Sequence, residues 1–249
     1  MWRQASANEL TGWVGNDQQG VLLEVEGDPD RVQALLCTLH LAPPLARVDT
    51  VSVDEVPATG ATGFAVLNSD TGGATSALLP PDTAMCERCS VELTDPADRR
   101  HGHPFLTCTD CGPRFTVVEA MPYDRSRTTM AKFPLYWRCQ REYDDPADRR
   151  FHAEPLCCPA CGPQLRLLDA RGREQPGEPL AETASLLRGG AIVAVKGVGG
   201  YHLAVDANDE AAVARLRARK HRPHRPFALL VTDLAEVDRF CRPTEVHRT

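Results

Sequence analysis

Ten cysteines occur in the 249 residues of this chain, and seven of them belong to one pattern written twice. The first copy reads Cys86-x-x-Cys89-x-x-Glu92, then Asp95-Pro96-Ala97-Asp98-Arg99-Arg100, then Cys108-x-x-Cys111-Gly112-Pro113. At an offset of 50 residues the chain reads Tyr136, Cys139, Glu142, then Asp145-Pro146-Ala147-Asp148-Arg149-Arg150, then Cys158, Cys161, Gly162 and Pro163. So many identities at one fixed offset mark a duplication. In the first copy 18 residues separate two CxxC pairs, a spacing that suits a four-cysteine zinc site. Two residues between paired cysteines let both thiolates turn toward one ion, and a closed tetrahedral set leaves no open position, so this zinc is expected to be structural. For so small a module the metal supplies much of the folding energy. Gly112 is expected to make the tight turn and to offer its backbone N–H to a sulfur.

The second copy has Tyr136 where the first has Cys86, leaving Cys139, Cys158 and Cys161. Either a fourth donor is recruited or the site binds zinc weakly or not at all. His152 and Cys157 are the nearby candidates. Cys157 directly precedes Cys158 and would point the other way in an extended segment, which favours His152. His101 and His103 are read as loop residues without a metal role, Cys37 as a core residue on an apolar helix face, and Cys241 as unpaired.

The chain has no apolar run of about 18 residues, so no membrane-spanning helix is expected. The polar stretch Met1–Gly12 lacks the apolar centre of a secretory signal. Cysteines in such a chain read as thiols kept reduced in cytoplasm and available to metal rather than as disulfides. Charge is uneven: 3 basic against 11 acidic side chains in residues 1–85, near balance in 86–163, and 14 against 11 in 164–249. The net charge of −6 argues against a general nucleic-acid binder, although Arg215–Arg225 is a local anion site.

Around the cysteine region the pattern is α+β and multidomain. Val21–Glu26 reads as a strand, Asp28–Leu41 as a helix, Arg47–Val56 and Gly63–Asn68 as strands. Five segments result: 1–68 a partial α/β domain, 69–81 a linker rich in Ser, Thr and Gly, 82–130 and 131–168 the two cysteine modules, and 179–249 a further α/β segment. That last segment has strands at Ala191–Val195, Tyr201–Val205 and Phe227–Thr232 and a helix at Asp209–Arg219. The turn Lys196-Gly197-Val198-Gly199-Gly200 would let a backbone approach phosphate, with Lys196 as a point charge; equally, it reads as a plain tight turn beside a solvated basic helix.

Taken together, the doubled knuckle, the Lys-Gly-x-Gly-Gly-Tyr-His-Leu turn and the Leu-Arg-x-Arg-Lys-x-Arg-Pro run resemble the carbamoyltransferases that mature nickel–iron hydrogenases. The resemblance spans essentially the whole chain. It implies a truncated ferredoxin-like (acylphosphatase-like) domain, paired zinc knuckles and the start of a YrdC-like α/β domain. It also implies carbamoyl phosphate and ATP as substrates, with Mg, a carbamoyl adenylate intermediate, and transfer to the C-terminal cysteine of a partner maturation protein. By motif, Lys196, Gly197, Gly199, Gly200, Lys220 and Arg222 would contact nucleotide, and Asn16 of Gly12-Trp13-Val14-Gly15-Asn16 would orient a water in the acylphosphatase-like domain. A non-enzymatic zinc scaffold is the alternative, and an RNA-binding YrdC-like protein a third. The sequence departs from the family at both ends, which reads as a truncated or misassigned frame, and transfer by this chain alone is not expected. The first strand and the GxVQGVGFR-type loop, whose arginine grips the acyl phosphate, are absent, so Asn16 is expected to be idle and the domain poorly stable. The expected outcome is phosphate release from carbamoyl phosphate no faster than in an Asn16→Ala control; release above that control would overturn it.

Overall fold

The computed structural model describes residues 1–16, 20–39, 48–67, 81–121, 123–197 and 199–242. The 69–81 linker lies outside these apart from Pro81, as do Leu41, Arg47, Asn68, Val198 and residues 243–249. Two compact units are present, Met1–Gln164 and Leu165–Thr249.

The first unit opens with helix α1 (Trp2–Ala7), strand β1 (Thr11–Asn16), strand β2 (Val21–Glu26), helix α2 (Pro29–Leu39) and strand β3 (Phe64–Val66). The sheet order is β2-β1-β3, with β1 antiparallel to β2 and parallel to β3. Gly12 is required here: its φ is +130°, and an added Cβ would lie 2.1 Å from the Glu24 carbonyl oxygen across the sheet. Ala5, Leu10, Leu35 and Leu39 form the core, backed by Leu23, Val25, Val32, Leu36, Val51 and Phe64. Asp28 accepts from the N–H groups of Asp30 and Arg31, fixing the start of α2. The strand expected over 47–56 does not form in residues 48–56, where Val53 and Val56 stand exposed. Cys37 is exposed rather than a core residue.

The cysteine modules complete this unit. Helix α3 (Glu87–Thr94) begins at Cys86 and helix α4 (Trp137–Asp144) begins at Tyr136, the same place in the repeat. Between them lie 3-10 turns at Arg125–Arg127 and Thr129–Lys132. Arg125 donates to the carbonyls of Phe133, Glu154 and Leu156, stitching this connection to the second module. The second unit holds α5 (Pro179–Arg188), the antiparallel hairpin β4 (Val193–Gly197) and β5 (Gly200–Ala204), α6 (Glu210–Lys220) and α7 (Leu234–Phe240). Glu178, Asp209 and Asp233 cap α5, α6 and α7 with their carboxylates. The expected strand at 227–232 is irregular; it has no partner among the described residues, and a strand needs one for its backbone hydrogen bonds. Among the described residues no helix is long and apolar enough to cross a membrane.

One buried carboxyl is informative. Glu154 is 4% exposed and accepts from Tyr143 Oη at 2.7 Å; His152 Nδ1 is 3.9 Å away, and Asp124 and Arg125 are the other charges nearby. Burial pushes its pKa up to about 7, against the smaller opposing effect of the Tyr143 bond. The folded chain therefore holds a proton that the unfolded chain releases between about pH 4.5 and 7. The resulting stability is complete below the lower value and is lost as pH rises through the upper one. Relative to wild type, Glu154→Gln is expected to gain roughly 2 kcal/mol on going from pH 5.5 to 8, measured by denaturant unfolding with zinc saturating.

Candidate metal centres

In the first module Cys86 and Cys89 sit at the N-terminal turn of α3, so both thiols emerge on one side of the helix start. Cys108 and Cys111 face each other across a two-residue knuckle. Neighbouring sulfurs are 3.7 Å (Cys86–Cys108), 3.8 Å (Cys108–Cys111) and 3.6 Å (Cys89–Cys111) apart. A tetrahedral ion with bonds of ~2.3 Å to sulfur requires edges of ~3.8 Å, so this donor set fits zinc. Cys89, Cys108 and Cys111 are fully buried, whereas Cys86 is partly exposed. Backbone N–H groups reach two of the sulfurs: that of Asp110 lies 3.4 Å from Cys108 Sγ, and that of Cys89 bonds to Cys86. Gly112 donates instead to the Thr83 carbonyl, and its role is steric: φ is +91°, and a Cβ would lie 2.1 Å from Thr107 Oγ1.

The second module brings together Cys139, Cys158 and Cys161, all buried, with sulfurs 3.6 Å (Cys158–Cys161) and 3.7 Å (Cys139–Cys161) apart. The edges match those of the first module, so three corners of the same tetrahedron are built. His152 is not brought to them. It occupies a left-handed turn (φ +49°) where the first module has Gly102 (φ +67°), and its side chain is 54% exposed against Tyr143 and Phe151. Nor does Cys157 join the cluster: its Sγ lies 3.3 Å from both the Phe105 carbonyl and His103 Nε2. Burial pushes the Cys157 thiol up to about 12 and pulls the His103 imidazole down, so this pair is neutral. His103 thus sits in a loop without a place in either cluster, as expected, and is in addition the buried partner of a thiol.

The Asp-Pro-Ala-Asp-Arg-Arg segments explain why the repeat is conserved within the chain. Each arginine pair crosses to the other module. Arg99 donates to Cys139 Sγ at 3.3 and 3.4 Å and to Glu142 at 2.7 Å; Arg100 donates to Cys139 Sγ at 3.5 Å, to the Cys157 carbonyl at 3.0 Å, and to Glu142. Reciprocally, Arg149 donates to Cys89 Sγ at 3.2 Å and pairs with Glu92 at 2.6 Å, while Arg150 reaches Glu92 and donates to the Thr107 carbonyl at 3.2 Å. Burial alone would raise the Glu92 and Glu142 pKa values, but the arginine hydrogen bonds and charges outweigh it and hold both below the ordinary range. Four thiolates around Zn²⁺ carry a net charge of −2, and guanidinium N–H groups on the sulfurs offset it. In sequence the segment marks the duplication; the further signal it carries is a pair of adjacent arginines at the same place between the cysteines of each copy.

The proposed nucleotide residues are in the second unit. Lys196 and Gly197 end β4, Gly199 (φ +80°) is in the turn, and Gly200 starts β5, with Lys196 Nζ 5.3 Å from the Tyr201 ring centroid. Lys220 ends α6, and Arg222 donates to the Pro226 carbonyl over the Phe227 ring. Among the described residues no hydrogen bond or ring contact joins Lys196 to Lys220 or Arg222. Asn16 ends β1 opposite Val21; its side chain lies outside what the structure describes.

With this geometry in place, comparison with known proteins becomes informative. Family patterns match in three blocks: Acylphosphatase over residues 1–66, HypF finger over 85–118 and 138–168, and the YrdC-type pattern described as Telomere recombination over 185–249. Carbamoyltransferase HypF2 of Cupriavidus necator is 50% identical over 239 residues, covering 94% of this chain and 30% of its own length. The crystal structure of full-length HypF in the phosphate- and nucleotide-bound form superposes with a TM-score of 0.87 at 39% identity, covering 99% of this chain and 32% of the other. This chain belongs to the HypF family. It spans about a third of the length of the HypF proteins it matches. Over residues of the first block it is also 51% identical to an acylphosphatase of Methylococcus capsulatus, covering 73% of that protein. The acylphosphatase-like, finger and YrdC-type matches stand along the chain in the order expected from sequence.

Because Arg149 reaches Cys89 from the other module, Arg149→Met is expected to speed loss of zinc from the first site at least tenfold in a chelator competition. His152→Ala is expected to leave metal content unchanged, since the imidazole faces Tyr143 rather than the thiols.

Proposed function

We propose that this chain provides the zinc-organised platform and part of the adenylate-forming domain of a hydrogenase-maturation carbamoyltransferase. In this reading the intact enzyme takes carbamoyl phosphate and ATP, with Mg, forms carbamoyl adenylate, and passes the carbamoyl group to a C-terminal cysteine of a partner protein. The observation that carries it is the interlocked pair of cysteine clusters, which along the chain follow an acylphosphatase-like sheet and precede a YrdC-like hairpin, in a chain that aligns with HypF over 99% of its length. Cys86, Cys89, Cys108 and Cys111 would hold one structural zinc, and Cys139, Cys158 and Cys161 would hold another. Bound there, zinc supplies cross-linking and charge, not chemistry. Lys196 would meet an anionic phosphate from the glycine turn, whose Gly199 takes a positive φ, and Lys220 and Arg222 would add charge from the end of α6. A cytoplasmic setting suits free thiols throughout.

The test is a chimera in which this chain replaces the matching region of the Cupriavidus necator relative. It is expected to catalyse carbamoyl-phosphate-dependent ATP–pyrophosphate exchange, and Lys196→Ala is expected to lower the rate at least tenfold. A zinc-loaded chimera without exchange would favour a scaffold that does no chemistry. Salt-sensitive RNA binding without ATP binding would favour the RNA reading.

A further inference from the structure

The second module is a three-sided copy of a four-sided site, and its missing side faces outward. In the first module the corner that Tyr136 replaces is Cys86, the only one of its four thiols that is not buried. Tyr136 starts α4 in the same extended conformation (φ −63°, ψ 146°) in which Cys86 starts α3 (φ −75°, ψ 159°), so the backbone is in register. The phenol is too long to place its oxygen at a corner reached by a one-carbon thiol. Its ring is 39% exposed and lies beside the Trp137 ring, 5.7 Å between centroids. Neither His152 nor Cys157 belongs to the cluster, and among the described residues no other His, Cys, Asp or Glu does. A cavity of about 380 Å³ lies against the same helix start, lined in part by Trp137, Arg138 and Arg99, and Arg99 also donates to Cys139 Sγ.

We propose that the second module holds zinc through Cys139, Cys158 and Cys161 alone, with its fourth place open to solvent and exchangeable for an external thiolate. With zinc bound, three thiolates would leave this site one negative charge short of the first, and its fourth place would fall to water. An incoming thiol would give its proton to solvent and replace that water, with no change of oxidation state. Arg99 and Arg100, both bonded to Cys139 Sγ, offset the added negative charge.

The experiment uses the full chain carrying Cys37→Ser and Cys241→Ser, which removes the two exposed thiols, reconstituted with cobalt(II) in a phosphine reductant. Two cobalt ions are expected per chain, the first with the absorption of a four-sulfur site and the second with bands at shorter wavelength. Added 2-mercaptoethanol is expected to move only the second set toward the four-sulfur position. Tyr136→Cys is expected to place the second set there without added thiol, to abolish the response, and to tighten the second ion at least tenfold. Two results would overturn the proposal. One is a second cobalt already four-sulfur in wild type and lost with Cys157→Ala, which would mean that Cys157 closes the site. The other is a single cobalt in wild type and two in Tyr136→Cys, which would mean that three thiolates do not hold the ion.

Discussion

Two pairs of arginines, three of the four buried and each pair donating across the module boundary, are the constraint on which the cysteine region depends. Arg100, Arg149 and Arg150 are each less than 10% exposed. Guanidinium groups remain charged under all ordinary conditions, and burying one without partners is prohibitive. Their partners are a sulfur, a carboxylate and a backbone carbonyl of the opposite module. Neither module is complete by itself: separated, each would expose its own arginines and strip the other of the charges that balance its thiolates and its glutamate. Breaking such a buried network from one side costs far more than its net contribution to stability, because the remaining charge is stranded. The duplication is thus preserved by reciprocity.

The apolar cores of these modules are slight. The first consists of Leu106 and four cysteines; the second adds Met130, Ala153, Leu156 and Cys157 to its three cluster thiols. At ~25 cal/mol per Å² such a core cannot offset the conformational entropy of ordering two modules. Metal coordination and charge-assisted hydrogen bonds take over that role, as expected for small metal-organised folds. Local turns then become critical. Gly112 and Gly162 both meet the residue five positions earlier, Thr107 and Cys157, too closely to carry a side chain.

Much of this was legible in the sequence where one residue type has one physical use. The CxxC spacing gave the first site, the 50-residue offset gave equivalent helix starts, and Asp209 and Asp28 marked helix beginnings where they are found. What failed were inferences that needed the third dimension. His152 is near Cys158 in the chain, but it occupies the position of Gly102, a left-handed turn that directs its side chain to Tyr143. The alternating valines of 48–56 satisfied strand periodicity without a neighbour to pair with. The destination of the arginine pairs was invisible because it lies in the other copy. Spacing says nothing of how Lys196 stands to Lys220 and Arg222, and among the described residues no hydrogen bond or ring contact joins them.

The two copies differ at positions that meet in space. Thr107 of the first, which donates to the Cys111 carbonyl at 2.6 Å, is Cys157 in the second, and Ala153 of the second is His103 in the first. The two changes meet: His103 Nε2 lies 3.3 Å from Cys157 Sγ across the module boundary. Where the first copy has a hydroxyl that closes its own knuckle, the second has a thiol that reaches the other knuckle. Tyr136 opens the second site on the exposed side while these substitutions tighten the buried side. The copy that lost a ligand therefore keeps its three remaining sulfurs at the spacing of the intact one, because the first module, through Arg99, Arg100 and His103, holds the frame around them.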